Sequence, residues 1–305
     1  MRLVVATCQF AVSADIAANQ AAVCELMRQA RAGGADVAHF PEAALSGYAG
    51  VDLAGFDGFD WPALKAATQA VMALAAALEL WVVVGSAHPL TAPHKPHNSA
   101  YVIDDRGAIV ERYDKRFCAG DAEGLTGDLA HYAPGEHWAV FEIRGVRCGV
   151  LICHDYRYPE LYREYHRRGV RLMFHGYHAG GLDPARYAAM EDGVGREHRF
   201  LGTGATLPAI TMPAGMIAAA SNNNMWISCP NSSAPISCWP AFFVRPDGVI
   251  TGALTPRTPG VLLSTADLDA EIYDSAIAWR GRAMAGVLHS GAPVDDERSK
   301  NRATL

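Results

Sequence analysis

The stretch GVRCGVLICHDYRYPELYREY, residues 145–165, changes at one point from an apolar run to a charged, aromatic segment, and Cys153 stands at the boundary. The run up to Ile152 reads as a buried strand. The segment YPELYREYHRRG reads as a helix with Pro159 in its first turn and Gly169 at its end. Open α/β architectures place their ligands just beyond strand ends, so a cysteine there is either a nucleophile or a small hydrophobe closing the strand. What the rest of the chain supplies decides between the two.

The same alternation extends in both directions. LVVATCQF, ADVAHF and WVVVGSAH read as buried strands. IAANQAAVCELMRQARAGG and WPALKAATQAVMALAAALEL have apolar residues at helical spacing. SAYVIDDRGAIVERYDK reads as a hairpin turning at Asp104-Asp105-Arg106-Gly107, and HWAVFEIRGVRCGVLIC as another turning near Arg144-Gly145. A polar loop spans about 116–135. VRLMFHGYHAGG is a strand opening into a loop, and a helical stretch follows over about 184–201. MWISCPN, AFFVRPDGVIT and GVLLSTADL are the last strands, with a turn at Pro246-Asp247-Gly248. From about Glu271 the chain becomes polar and is expected to run over the surface. Hairpins need antiparallel neighbours and crossovers favour parallel ones, so the sheets are expected to be mixed. With no linker or repeat, a domain over 1–285 and a polar tail over 286–305 is the simplest division.

Composition narrows the functional class. Of 305 residues 50% are hydrophobic and 19% charged, and the formal net charge is −6, with no basic block to hold nucleic acid. The uncharged stretch 202–224 carries Pro208 and Pro213, which argues against a membrane helix. The N-terminus shows no signal-peptide cleavage pattern. Seven scattered cysteines without a CxxC pair suggest free thiols and a cytoplasmic location. The histidine pairs His94/His97 and His175/His178 lack a third ligand at recognisable spacing, so neither metal nor cofactor is expected.

Glu42 follows VAHFP, Lys115 follows IVERYD, and Cys153 follows CGVLI, each just after an apolar run. An acid, an ammonium and a thiol at three strand ends suit acyl transfer. The thiolate attacks, the carboxylate moves its proton, and the ammonium steadies the developing oxyanion. FPEAALSGY, YDKRF and GVLICHDYRYPEL resemble the three signature segments of the nitrilase superfamily of carbon–nitrogen hydrolases, in order and at the family's spacing. The opening strand and helix, RPDGVI and GVLLSTADLD are also similar to family elements, so the resemblance reaches about residue 285.

That resemblance implies an α/β fold, an α-β-β-α four-layer sandwich with two mixed sheets, and a homodimer or higher homo-oligomer. It implies Glu42 as base, Lys115 as oxyanion partner and Cys153 as nucleophile, with the His154 N–H as a second oxyanion donor. Many members add another carboxylate between lysine and cysteine. Glu123, in an EG context like that of the aliphatic-amidase branch, is favoured here over Asp128, which precedes a PG turn. Tyr48, His154, Arg157, Tyr177 and His178 are the candidate substrate-binding residues. For Arg157, bracing the loop through Asp155 is the competing role. The Cys-His-Asp sequence lacks the tryptophan and glutamate that follow the nucleophile in true nitrilases, so a small polar amide or N-carbamoyl (ureido) compound is the expected substrate. Nitrile hydrolysis and transfer of the acyl group to an amine are the alternatives.

Overall fold

The computed structural model of the chain describes residues 1–198 and 204–303. Strands β1 (Arg2–Gln9), β2 (Val37–His39), β3 (Trp81–His88), β4 (His97–Ile103) and β5 (Ile109–Asp114) form one sheet. Strands β6 (Val140–Ile143), β7 (Val146–Ile152), β8 (Leu172–Gly176), β9 (Trp226–Cys229), β10 (Phe242–Val244) and β11 (Ile250–Ala253) form the other. β12 (Gly260–Asp267) returns to the first, giving orders β12-β1-β2-β3-β4-β5 and β11-β10-β9-β8-β7-β6. Both sheets are mixed as expected. β1–β2–β3 and β7–β8–β9 run parallel, and the outer pairs are antiparallel.

Side-chain alternation builds the layers. Val5, Val37 and Trp81 are in register and face the second sheet, where Trp81 stacks on Phe141 with ring centroids 6.4 Å apart. Their neighbours Ala6, Ala38 and Val82 face the opposite way, into a cluster with Val23, Leu26 and Met27 of helix α1 (Ile16–Ala32) and with Leu64 and Val71 of α2 (Trp61–Leu78). The loop between β5 and β6 carries only a short helix, α3 (Asp128–His131). Beyond β7 come a 3₁₀ turn over Cys153–Arg157 and α4 (Pro159–Arg167). α4 shares the outer face of the second sheet with α6 (Leu207–Asn223). Leu161, Tyr162, Tyr165, Met212 and Met216 pack there with Met173 and Ile227. The four-layer sandwich implied by the resemblance is therefore the fold.

Two segments differ from their sequence reading. The uncharged run at 202–224 holds α6, a helix obscured by its prolines. Pro208 lies in its first turn, where a missing N–H costs nothing, and Thr206 caps the Ala209 N–H. Pro213 sits inside the helix, at a cost of roughly 3 kcal/mol. Burial of Met212, Met216 and Ala220 offsets it. Among the described residues no helix is long and apolar enough to cross a membrane. The stretch expected to be helical over 184–201 breaks after α5 (Pro184–Asp192) at Gly193, and a 3₁₀ turn covers Arg196–His198. Its expected end, 199–201, lies outside the described residues.

The C-terminal segment is exposed but anchored. Arg280, at the start of α7 (Arg280–Met284), is buried, pairs with Asp274 at 2.7 Å through Nη1, and donates from Nε to the Asn222 carbonyl at the end of α6. Residues 285–303, including the short α8 (Glu297–Lys300), are all exposed.

Candidate active site

Glu42, Lys115 and Cys153 leave the ends of β2, β5 and β7, and the face-to-face packing of the sheets brings those ends together. The backbone is shaped for the purpose at two of them. Cys153 has φ +43° and Ala43, next to Glu42, has φ +55°. Non-glycine residues in that region cost about 1–3 kcal/mol and persist only where their surroundings over-determine them. Gly85 on β3 makes room for the Glu42 turn. A Cβ there would lie 2.3 Å from the Pro41 carbonyl oxygen and 2.5 Å from the Ala43 nitrogen.

The ammonium is the hub. Lys115 Nζ lies 2.7 Å from Glu42 Oε1 and 2.7 Å from Asp128 Oδ2, and all three side chains are essentially without solvent exposure. Two of its three N–H bonds are thereby committed. Burial alone would strip Lys115 of its proton, but the carboxylates of Asp128 and Glu42 outweigh it and hold the ammonium charged well above its ordinary range. Asp128 responds in kind. Burial pushes it up, yet the Lys115 charge and donated hydrogen bonds pull it below the usual carboxylate range. Its Oδ1 accepts from the Tyr48 hydroxyl, and its Oδ2 accepts from the Ala119 N–H at 2.8 Å. Asn98 on β4 donates to Glu42 Oε1 at 2.8 Å.

Cys153 is half-buried with its thiol against the Glu42 carboxyl group. Burial first, then the Glu42 carboxylate, raise its pKa well above the ordinary thiol value, against the pull of Lys115. At rest Cys153 is thus a thiol beside a carboxylate, an arrangement suited to general-base activation.

The structure corrects the choice of second carboxylate. Glu123 is exposed, and the acid beside Lys115 is Asp128. The loop folds back on itself to achieve this. Asp121 accepts from Thr126 Oγ1 and the Leu125 N–H, and the Asp128 N–H reaches the Ala119 carbonyl at 2.6 Å. The exposed tip then carries Glu123 while Asp128 turns inward.

The other candidates divide. Tyr48 lies in the site, its ring 5.8 Å from Lys115 Nζ and stacked on His178 at 5.2 Å. His178 is buried, with Nε2 2.9 Å from Asp52 Oδ2 but out of line for a hydrogen bond, and its Nδ1 has no partner among the described residues. His154 is half-buried at the rim, its ring edge-on to Tyr158. Burial lowers its pKa. Tyr177 is fully buried, its hydroxyl donating to Met216 Sδ at 2.9 Å, so its ring packs beneath the site and does not line it. Arg157 is exposed and lies over the Tyr156 ring at 4.7 Å. Asp155 does brace the loop, by other partners: the Phe117 N–H at 2.8 Å, the Ile152 N–H at 3.0 Å and the Tyr113 hydroxyl at 2.8 Å.

Neither histidine pair acts as a unit. His97 Nδ1 is 2.8 Å from the Ala133 carbonyl, and His175 turns to the Cys153 carbonyl. Among the described residues no group of three or more His, Cys, Asp or Glu is placed to hold a metal ion. The sequence reading did not single out Asn98, which contacts Glu42, or Asp52, which lies beside His178. The available signal for Asn98 was a polar residue on the inward face of an apolar strand.

A fold of two facing mixed sheets whose strand ends present a carboxylate, an ammonium and a thiol defines a class, and comparison with known proteins agrees. The carbon-nitrogen hydrolase family model matches residues 4–276, so the chain belongs to that family. Among curated proteins it is similar to the glutamine-dependent NAD(+) synthetase of Xylella fastidiosa, 36% identical over 162 residues, covering 52% of this chain and 28% of that protein. It is also similar to the 2-oxoglutaramate amidase of Bacillus subtilis, 25% identical over 174 residues, covering 57% of this chain and 64% of that one. The matches thus span less than two thirds of either relative. Among solved structures, an amidase from Nesterenkonia sp. superposes with TM-score 0.68 at 21% identity, over 87% of this chain and 90% of that one. At that identity the likeness concerns the fold.

Proposed function

We propose that the chain hydrolyses the carbon–nitrogen bond of a small polar amide through a thioester on Cys153. The observation that carries this reading is the single ammonium held 2.7 Å from each of two buried carboxylates, one of which abuts the thiol. Glu42 takes the Cys153 proton as sulfur attacks the carbonyl carbon, and the new oxyanion is held by the third N–H of Lys115 and by the His154 N–H. Collapse breaks the carbon–nitrogen bond, Glu42 passes its proton to the departing nitrogen, and ammonia leaves. Water, deprotonated by Glu42, then attacks the thioester. Collapse returns the thiol with the Glu42 proton and releases the acid. Asp128 keeps Lys115 charged and fixed, and Tyr48 fixes Asp128. Two similar proteins are named for glutamine and 2-oxoglutaramate, both primary carboxamides, which supports a carboxamide over an N-carbamoyl substrate.

The test is ammonia release from a panel of small carboxamides, N-carbamoyl compounds and nitriles, with Cys153→Ala beside the wild type. We expect release from carboxamides that falls at least ~10³-fold in the variant. Turnover that survives Cys153→Ala would sink the mechanism, and release only from another substrate class would move the substrate.

A further inference from the structure

Beneath the nucleophile lies a group that the mechanism above does not use. His175, fully buried on β8, has Nε2 3.1 Å from the Cys153 carbonyl oxygen and Nδ1 2.7 Å from the Tyr162 hydroxyl on α4. We propose that His175 is a positioning residue that holds the Cys153–His154 peptide so that its N–H faces the substrate oxygen. This rests on the reading of Cys153 as the nucleophile.

The hydrogen-bond roles follow from elementary chemistry. A carbonyl only accepts, so Nε2 carries the proton. In a neutral ring Nδ1 is then the acceptor, and the Tyr162 hydroxyl must donate to it. Neutrality is secured by burial, which pushes His175 down to about 3. The ring cannot swing away, because it is stacked 4.5 Å from Tyr177 at 8° and 5.9 Å from Tyr162 at 28°. Tyr177 is in turn fixed by its hydroxyl on Met216.

Peptide planarity carries the constraint to the site. In a trans peptide the C=O and the following N–H point in opposite directions, so fixing the Cys153 oxygen on His175 turns the His154 N–H away from His175. Cys153 has φ +43°, a conformation from which the chain relaxes unless neighbours oppose it. The His175 bond does so at the carbonyl end of the peptide whose N–H is the oxyanion donor.

The experiment compares two reactions of the same sulfur. Amide hydrolysis builds an oxyanion, whereas alkylation by iodoacetamide expels iodide and builds none. For His175→Leu we expect kcat to fall about 30-fold or more with KM little changed, as for loss of an oxyanion donor. Its Cys153 alkylation rate should stay within about threefold of wild type, since that step needs only the thiol and its base. His175→Gln, which keeps a donor, should recover most of the loss, and Tyr162→Phe should cost less than His175→Leu. If His175→Leu does not fold, the Gln and Tyr162→Phe variants carry the same comparison. Parallel loss of turnover and alkylation would reduce His175 to packing, and unchanged turnover would also overturn the proposal. If iodoacetamide leaves wild-type activity intact while Cys153 is alkylated, the nucleophile reading itself fails, whatever the His175 variants do.

Discussion

Two buried polar clusters lie between the sheets and follow opposite rules. In the first, Thr7 Oγ1 is 2.8 Å from Ser228 Oγ, which is 2.9 Å from His39 Nδ1. These side chains come from β1, β9 and β2, and burial holds His39 neutral, its pKa well below the ordinary value. The cluster is uncharged. In the second, one ammonium sits between Glu42 and Asp128, while Glu42 Oε2 and Asn98 Oδ1 accept no hydrogen bond among the described residues. A buried network left partly unsatisfied is costly to the fold, and such costs are usual where a substrate completes the network. The neutral cluster ties the two sheets together; the charged one is arranged for chemistry.

The largest effect should come from breaking the charged cluster. Asp128→Asn removes one of the two charges that keep Lys115 protonated, so turnover should fall about 10²-fold or more. Glu123→Gln, at the exposed tip of the same loop, should change turnover by less than about twofold, as surface substitutions usually do. Steady-state kinetics of the pair decide the matter. The reverse ranking would restore the second-carboxylate role to Glu123.

Next comes the neutral cluster. Ser228→Ala leaves His39 Nδ1 and Thr7 Oγ1 buried without this partner and should cost about 2 kcal/mol of stability, read as a lower denaturant midpoint. Thr7→Val added to it should recover part of that loss, because it removes one of the orphaned groups. Turnover at a temperature where both variants are folded should be close to wild type. A loss of activity with stability intact would mean that the two clusters are coupled and the contrast between them is wrong.

The contrast also marks what the sequence could show. Hairpins were legible from their turn residues, such as Arg144 and Gly145, both at positive φ, between apolar runs. Glu42, Lys115 and Cys153 were legible because each interrupts the end of such a run and falls in a family segment. Asp128 was second choice because spacing along a loop does not say which carboxylate the loop turns inward; that depends on the Asp121–Thr126 bend and on the Ala119 and Asp128 backbone contacts. α6 escaped notice because prolines at 208 and 213 read as breakers, and only burial against α4 and the second sheet makes the helix worthwhile. His175 read as half of a histidine pair because its partner, a backbone carbonyl, leaves no trace in composition.

The smallest effect separates the clusters by pH. His39 has a folded pKa below its unfolded value, so between those values the unfolded chain binds more protons, and stability declines as pH falls below about 6.5. His175 acts in the same direction. Asp128 is also depressed on folding, so its contribution is present above the unfolded carboxylate value, about 4, and is lost as pH falls through the folded one. Asp155, pushed up to about 6 by burial, acts the other way between about 6 and 4 and offsets part of the histidine loss, so the decline should steepen below about 4 as Asp128 takes up its proton. Melting temperatures of wild type and Asp128→Asn over this range isolate the second stage. The variant, less stable at neutral pH, should lose less on acidification below pH 4 and keep the histidine stage above it. An Asp128→Asn curve parallel to wild type throughout would mean that the Asp128–Lys115 pair contributes nothing to folding and that its cost is borne for catalysis alone.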